Sequence, residues 1–224
     1  MSNIYLLVGL AVAGLLAVAA WRNARRRKEL RSWAARRGLT FSPGRQADFD
    51  KSYPAFGCLR RGYSRRAYNI AEGDWNGRRL TAFDYRYVTG SGKNRQTHRF
   101  SAVILRGEVP LKPLRIRPEN ALDRLTEFLG LDDIDFESAQ FSRQFHVRSP
   151  DKRWAYDVLH QRTMEFLLSV PPFSIQMNDR QVIVWRDRRF DVRMFEAAIA
   201  VAEGILDRLP EYVVRQQIAG GELR

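Results

Sequence analysis

The stretch DWNGRRLTAFDYRYV, residues 74–88, decides the fold. Asn76-Gly77 is the dipeptide favoured by a type I′ turn, whose two central residues both need positive φ, and it predicts an antiparallel hairpin. Beyond the turn, Leu80, Ala82, Asp84, Arg86 and Val88 alternate with Thr81, Phe83, Tyr85 and Tyr87. That period of two is a strand with one aromatic face, expected to be half-buried. Similar patterning predicts strands at about 55–60, 66–73 and 98–106, with an irregular segment over 39–49. TGSGKNRQTH, residues 89–98, is a glycine-rich hairpin tip. It is not a phosphate loop, because Asn94 follows Lys93, Tyr87 stands at the first glycine position and no helix follows.

The second half alternates between helix and strand signals. Pro118-Glu119 opens a helix to about 129, and DDIDFE (132–137) reads as a strand. Ser138 caps a short helical turn, after which residues 146–149 extend. Ser149-Pro150-Asp151 begins a helix to about 169, with Pro150 at its first position. Residues 173–186 read as a hairpin turned at Asn178-Asp179. Asp191 caps a closing helix to about 208 that carries Met194, Phe195, Ala198, Val201, Ala202 and Ile205 on one stripe.

The N-terminus has a different character. Residues 4–21 carry no charge. As a helix they would span roughly 27 Å, against a hydrocarbon core of about 30 Å. Ile4 begins the run, and Tyr5 and Trp21 stand at its ends, where amphipathic rings favour the interface. Residues 22–37 hold eight basic side chains against Glu29, a net +7. The expectation is a transmembrane signal anchor over 1–21 and a basic juxtamembrane helix over 22–37. Arg22, Arg25, Arg26, Arg27, Lys28 and Arg31 would determine topology, leaving the N-terminus outside and the rest in the cytoplasm at the inner membrane. A cleaved signal would place its charge before the apolar run, and a core helix would show a polar face. Leu30, Trp33 and Ala34 form a narrow apolar stripe, and Gly38 offers a left-handed C-cap.

Residues 38–224 carry 30 basic and 24 acidic side chains. Most of the overall +13 therefore belongs to the N-terminal strip, which argues against nucleic acid as a partner despite a pI near 10.5. A single cysteine, Cys58, excludes an internal disulfide. The expected fold class is α+β: an N-terminal transmembrane helix, then one cytoplasmic domain over 38–214 with a mainly antiparallel sheet and three main helices, and a flexible tail over 215–224.

The motif Glu137-Ser138-x-x-Phe141-x-x-x-Phe145-x-Val147, continued by Ser149, Asp151, Ala155, Leu159 and Met164, resembles an uncharacterised bacterial family, a domain of unknown function. Phe83-Asp84-Tyr85-x-Tyr87 and the Gly73/Gly77 hairpin agree with it, so the resemblance covers about residues 70–186. Ser142 departs from it, standing where the family carries asparagine. The resemblance implies membrane anchoring for many members and no reaction. Read physically, Glu137, Ser138, Phe141 and Phe145 are structural, with the two rings at i, i+4 facing a core.

No catalytic, metal or cofactor residues emerge. His98, His146 and His160 lack metal-ligand spacing, and no nucleophile elbow or dinucleotide fingerprint is present. The expected function is an interaction, scaffold or sensor module with the lipid bilayer and an unknown protein as partners. Two alternatives stay open. One is a hydrolase in which Asp135 and Glu137 converge with His146. The other is a nucleic-acid binder using Arg60, Arg61, Arg65 and Arg66 with Tyr63 and Tyr68 interleaved.

Overall fold

The computed structural model describes residues 2–119 and 133–221, without the side chains of 2–4, 6–9, 11 and 12. In chain order the elements are α1 (Ser2–Arg36), β1 (Thr40–Ala47), β2 (Tyr63–Trp75), β3 (Arg78–Thr89), β4 (Gln96–Pro118), α2 (Ala139–Gln144), β5 (Phe145–Arg148), α3 (Lys152–Val158), α4 (Gln161–Ser169), β6 (Ser174–Arg186), α5 (Val192–Leu206) and α6 (Glu211–Gly221). The strands β1 to β4 lie side by side, all antiparallel, and β6 pairs along the free edge of β4. Arg115 and Ile116 of β4 pair with β6 and β5 at once, so β5 takes over the side that β3 has left. The chain is α+β, as the segregated patterns predict.

The hairpin forms at Asn76-Gly77, with φ of 53° and 77°. The strand after it is not half-buried, however, for its residues are buried on both faces. Leu80 and Ala82 join a core with Leu30, Trp33 and Ala34 of α1 and Phe195, Ala198 and Ala202 of α5. Phe83, Tyr85 and Tyr87 join a second core on the opposite face, closed by Phe49, Phe56, Cys58 and Leu59 from the β1–β2 connection. Phe49 packs 4.6 Å from Phe83, and the Tyr85 hydroxyl donates to the Leu59 carbonyl at 2.7 Å.

That connection explains two local corrections. Residues 39–49, read as irregular, supply β1, whereas the strand expected at 55–60 is a 3-10 turn over Gly57–Leu59. Apolar residues there cap a face and need no ladder. At its end Gly62 has φ +57°, and a Cβ added there would lie 2.1 Å from the Val88 carbonyl oxygen. Gly62→Ala should lower stability by about 1–3 kcal/mol, the range for enforced left-handed strain, read as the midpoint of a urea melt.

The expected hairpin at Asn178-Asp179 is one continuous strand. Only Asp179 has positive φ, at 54°, so no type I′ turn closes, and both halves of β6 pair with β4 across a register shift. Similarly, β4 extends past the expected end at 106 to Pro118, where β6 and β5 hold its second half. The helix expected from 118 to 129 lies outside the described residues beyond Glu119. Residues 133–136 form no strand, although the Ile134 amide donates to the Val147 carbonyl at 2.8 Å. Asp151, not Ser149, caps α3, which ends at Val158, so α3 and α4 replace one long helix. Residues 211–221, expected in part as a tail, form α6 and bury Val213.

The N-terminal reading changes most. The apolar run and the arginine strip are one uninterrupted helix, α1, ended at Gly38 (φ 68°) by a Leu39 amide bond to the Ala34 carbonyl. Among the described residues no helix is long and apolar enough to cross a membrane. The transmembrane helix, the single-pass inner-membrane anchor and the assigned sidedness are therefore withdrawn. Tyr5 and Trp21 are exposed, and the side chain of Ile4 lies outside the described residues. The C-terminal part of α1 is a domain helix: Leu30, Trp33 and Ala34 are buried, and Trp33 stacks 5.7 Å from Phe195.

Candidate functional site

The strongest electrostatic feature is a fully buried carboxylate, Asp84 in β3. Arg26 of α1 grips it with two bonds, Nε to Oδ2 at 3.0 Å and Nη2 to Oδ1 at 2.7 Å. Asn69 Nδ2 donates to Oδ2 at 2.9 Å, and Ser101 Oγ donates to Oδ1 at 2.5 Å. Asn69 reaches the helix side because β2 bulges there, with φ 51°. The Phe190 amide closes the cluster by donating to Ser101 Oγ, and its carbonyl accepts from Arg26 Nη1. Four segments thus converge on one anion that has no lone pair left for a substrate. Arg26, expected as a topology determinant, is a docking residue.

The other five residues of that set lie on the exposed collar of α1. Arg25 pairs with Glu29 at 3.0 Å and lies over the Trp21 ring, while Arg31 lies over Phe41. Beyond the collar, α1 presents Leu10, Leu15, Leu16, Val18 and Trp21 to solvent, each 46–71% exposed. Side chains so apolar normally find cover.

The predicted carboxylate–histidine convergence forms with other partners. His146 bonds Asp133 through Nδ1 at 2.7 Å and Glu119 through Nε2 at 2.6 Å. Among the described residues no contact joins Asp135 or Glu137 to His146, and Glu137 makes no ion pair. With both ring nitrogens occupied, the imidazole has none left for a substrate. Burial pushes the Asp133 carboxyl up, but the Arg148 and His146 hydrogen bonds outweigh it and hold it below the ordinary range. A carboxyl depressed in the fold adds stability above its unfolded value, about 3.9, and that stability is lost as pH falls through the folded value. Asp133→Asn should therefore flatten the acid limb of the stability–pH curve. At pH 7 it should cost no more than about 1 kcal/mol, as exposed pairs do.

A cleft of about 980 Å³ opens at the β3–β4 tip, lined by Arg61, Tyr87, His98, Arg117 and Asp187. His98 stacks on Tyr87 at 4.7 Å and meets Thr89 Oγ1 at 2.7 Å. A hydroxyl beside an imidazole has the outline of a nucleophile–base pair, but among the described residues no third group bonds His98 to orient the base. Three of the four arginines proposed for nucleic acid are engaged within the fold. Arg61 pairs with Asp187 at 2.8 Å, Arg65 pairs with Asp50 at 3.2 Å, and Arg60 donates to the Pro54 carbonyl. Tyr63 donates to the Gly90 carbonyl.

The apolar positions of the Glu137–Val147 motif sit in the core. Ser138 Oγ accepts from the Phe141 amide at 3.3 Å, and Phe141 and Phe145 are buried with their rings 5.0 Å apart. Ser142 Oγ bridges the backbone of Phe136, accepting from its amide at 3.2 Å and donating to its carbonyl at 3.3 Å.

No family model and no curated protein matches the chain. A solved structure does: the mycobacterial trehalose monomycolate transport factor A, TtfA, aligns with a TM-score of 0.63 and 16% identity, over 84% of this chain and 96% of that one. The fold is shared. At that identity the likeness carries architecture alone.

Proposed function

We propose that the protein is a non-catalytic module that engages lipid through the exposed length of α1. The observation that carries this reading is the row of solvent-facing Leu10, Leu15, Leu16, Val18 and Trp21 on one helix, continued by a basic collar. Apolar side chains and lysine or arginine in series are the two signals that together hold a protein at a lipid surface. Contact is made by the side of the helix, and no crossing of a bilayer is part of the reading. TtfA, which has this fold, is by its name a transport factor for trehalose monomycolate, and that lends support to a lipid-related role. The occupied nitrogens of His146 and the filled coordination of Asp84 favour a binding role over hydrolysis.

Vesicle flotation of the full chain tests the reading. The wild type should float with phosphatidylcholine vesicles and more strongly with vesicles that include phosphatidylglycerol. The variant L10Q/L15Q/L16Q/W21Q should lose at least about a hundredfold in partitioning, since each large apolar side chain contributes about 1.5–3 kcal/mol when buried. Its melting temperature should stay that of the wild type, because these side chains touch little of the domain. Failure of the wild type to float with either vesicle would overturn the reading.

A further inference from the structure

Three arginines face one another across three adjacent strands. Arg66 of β2 stands opposite Arg86 of β3, and Arg86 stands opposite Arg99 of β4. Residues in direct register share a face, and like charges so placed repel. The face is that of Asp84, two residues before Arg86, and hence the face that α1 covers. Among the described residues none of the three makes an ion pair, and the buried Nε of Arg86 has no hydrogen-bond partner. Asp84, the carboxylate of the neighbouring row, is already taken up by Arg26, Asn69 and Ser101. Burial, then Arg99, Arg66, Arg45 and Arg95, holds the Arg86 guanidinium below its ordinary value, and every charge in that set is positive.

The position of the row matters as much as its charge. Trp33 of α1 lies against Trp75 at the start of the hairpin, and Arg26 lies on Asp84. Towards its N-terminus, α1 therefore travels in the direction of increasing residue number along β3. The next row on that course is Arg66, Arg86 and Arg99, at the point where α1 leaves the sheet and its exposed apolar length begins.

We infer that Arg66, Arg86 and Arg99 form the headgroup site for an anionic, phosphate-bearing lipid whose chains lie against the apolar length of α1. The inference rests on the lipid reading above. Charge complementarity selects the occupant: a row of guanidiniums beside an apolar helix matches a phosphate joined to acyl chains. Phosphate oxygens accept several N–H bonds from planar guanidiniums at once.

The test is flotation of the full chain against phosphatidylcholine vesicles with and without phosphatidylglycerol. R66Q/R86Q/R99Q should lose the preference for phosphatidylglycerol by at least about tenfold, given about one factor of five per basic residue near an anionic surface. It should still float with phosphatidylcholine, and it should melt no lower than the wild type, since repulsion is relieved. R66K/R86K/R99K should recover most of the preference. A control that removes Lys152, Arg162 and Arg215 as glutamines, all exposed on other helices, should retain it. An unchanged preference in the triple glutamine variant overturns the inference while leaving the lipid reading intact. Release of the wild type by millimolar inorganic phosphate would overturn it by making free phosphate the occupant. Binding of an oligonucleotide that the same three substitutions abolish would overturn it in favour of nucleic acid. Wild type that floats with neither vesicle removes the lipid reading itself.

Discussion

Arg26→Ala should destabilise the domain by about 3–5 kcal/mol, the range for breaking a buried ion pair from one side. Asp84 is fully buried, and the loss of Arg26 leaves its charge with only the neutral donors of Asn69 and Ser101. In a chain of this length each kcal/mol moves the melting temperature by about 2–4 °C, so a fall of roughly 6–20 °C is expected. Asp84→Ala should act similarly, because it strands a guanidinium that is only 17% exposed. The double variant R26M/D84L separates charge from position. It should recover much of the loss, since apolar replacement of a whole buried pair is often neutral or better. If R26A melts within about 2 °C of the wild type, the pair does not hold α1 to the sheet.

Phe141→Ala should cost about 3–5 kcal/mol, as large-to-small core changes do. The ring is fully buried and meets Phe136 at 5.5 Å and Phe145 at 5.0 Å, so no solvent-side collapse can refill the space. Phe145→Ala should follow closely. Ser138→Ala, which removes only the cap bond to the Phe141 amide, should cost about 1 kcal/mol. That ranking, measured in urea melts, distinguishes packing from local helix stabilisation. An equal loss for Ser138→Ala and Phe141→Ala would place the weight on the cap.

Features written in short range were legible in the sequence. Asn76-Gly77, the caps at Ser138 and Asp191, and the Leu30, Trp33, Ala34 stripe need only neighbouring residues to be read, and they stand where the patterns put them. Misreadings came where one local pattern fits two surroundings. Alternation in residues 80–88 describes a strand exposed on one face equally well as one covered on both; the polar Asp84 and Arg86 suggested solvent, while Arg26 and α1 lay over them. Asn178-Asp179 looked like a turn, yet the partner strand β4 was long enough to hold both flanks in line. The arginine row was invisible because its members are 20 and 13 positions apart in sequence, and only the register joins them. One signal was available: Asp84 and Arg86 share a strand face with apolar Leu80, Ala82 and Val88.

α1 is a lever with two fastenings. Its 35 residues amount to about 52 Å of rigid rod. Trp33, held between Trp75 and Phe195, fixes one point, and Arg26, pinned to Asp84, fixes a second about two turns away. Two points on a rod set its direction, so the free arm cannot swing about a single pivot. A load applied near Ser2 acts with an advantage of roughly three to one over the distance between the fastenings, and the ion pair, as the outer fastening, bears it first. Pulled from that end, the domain should yield at Asp84 before its sheet opens.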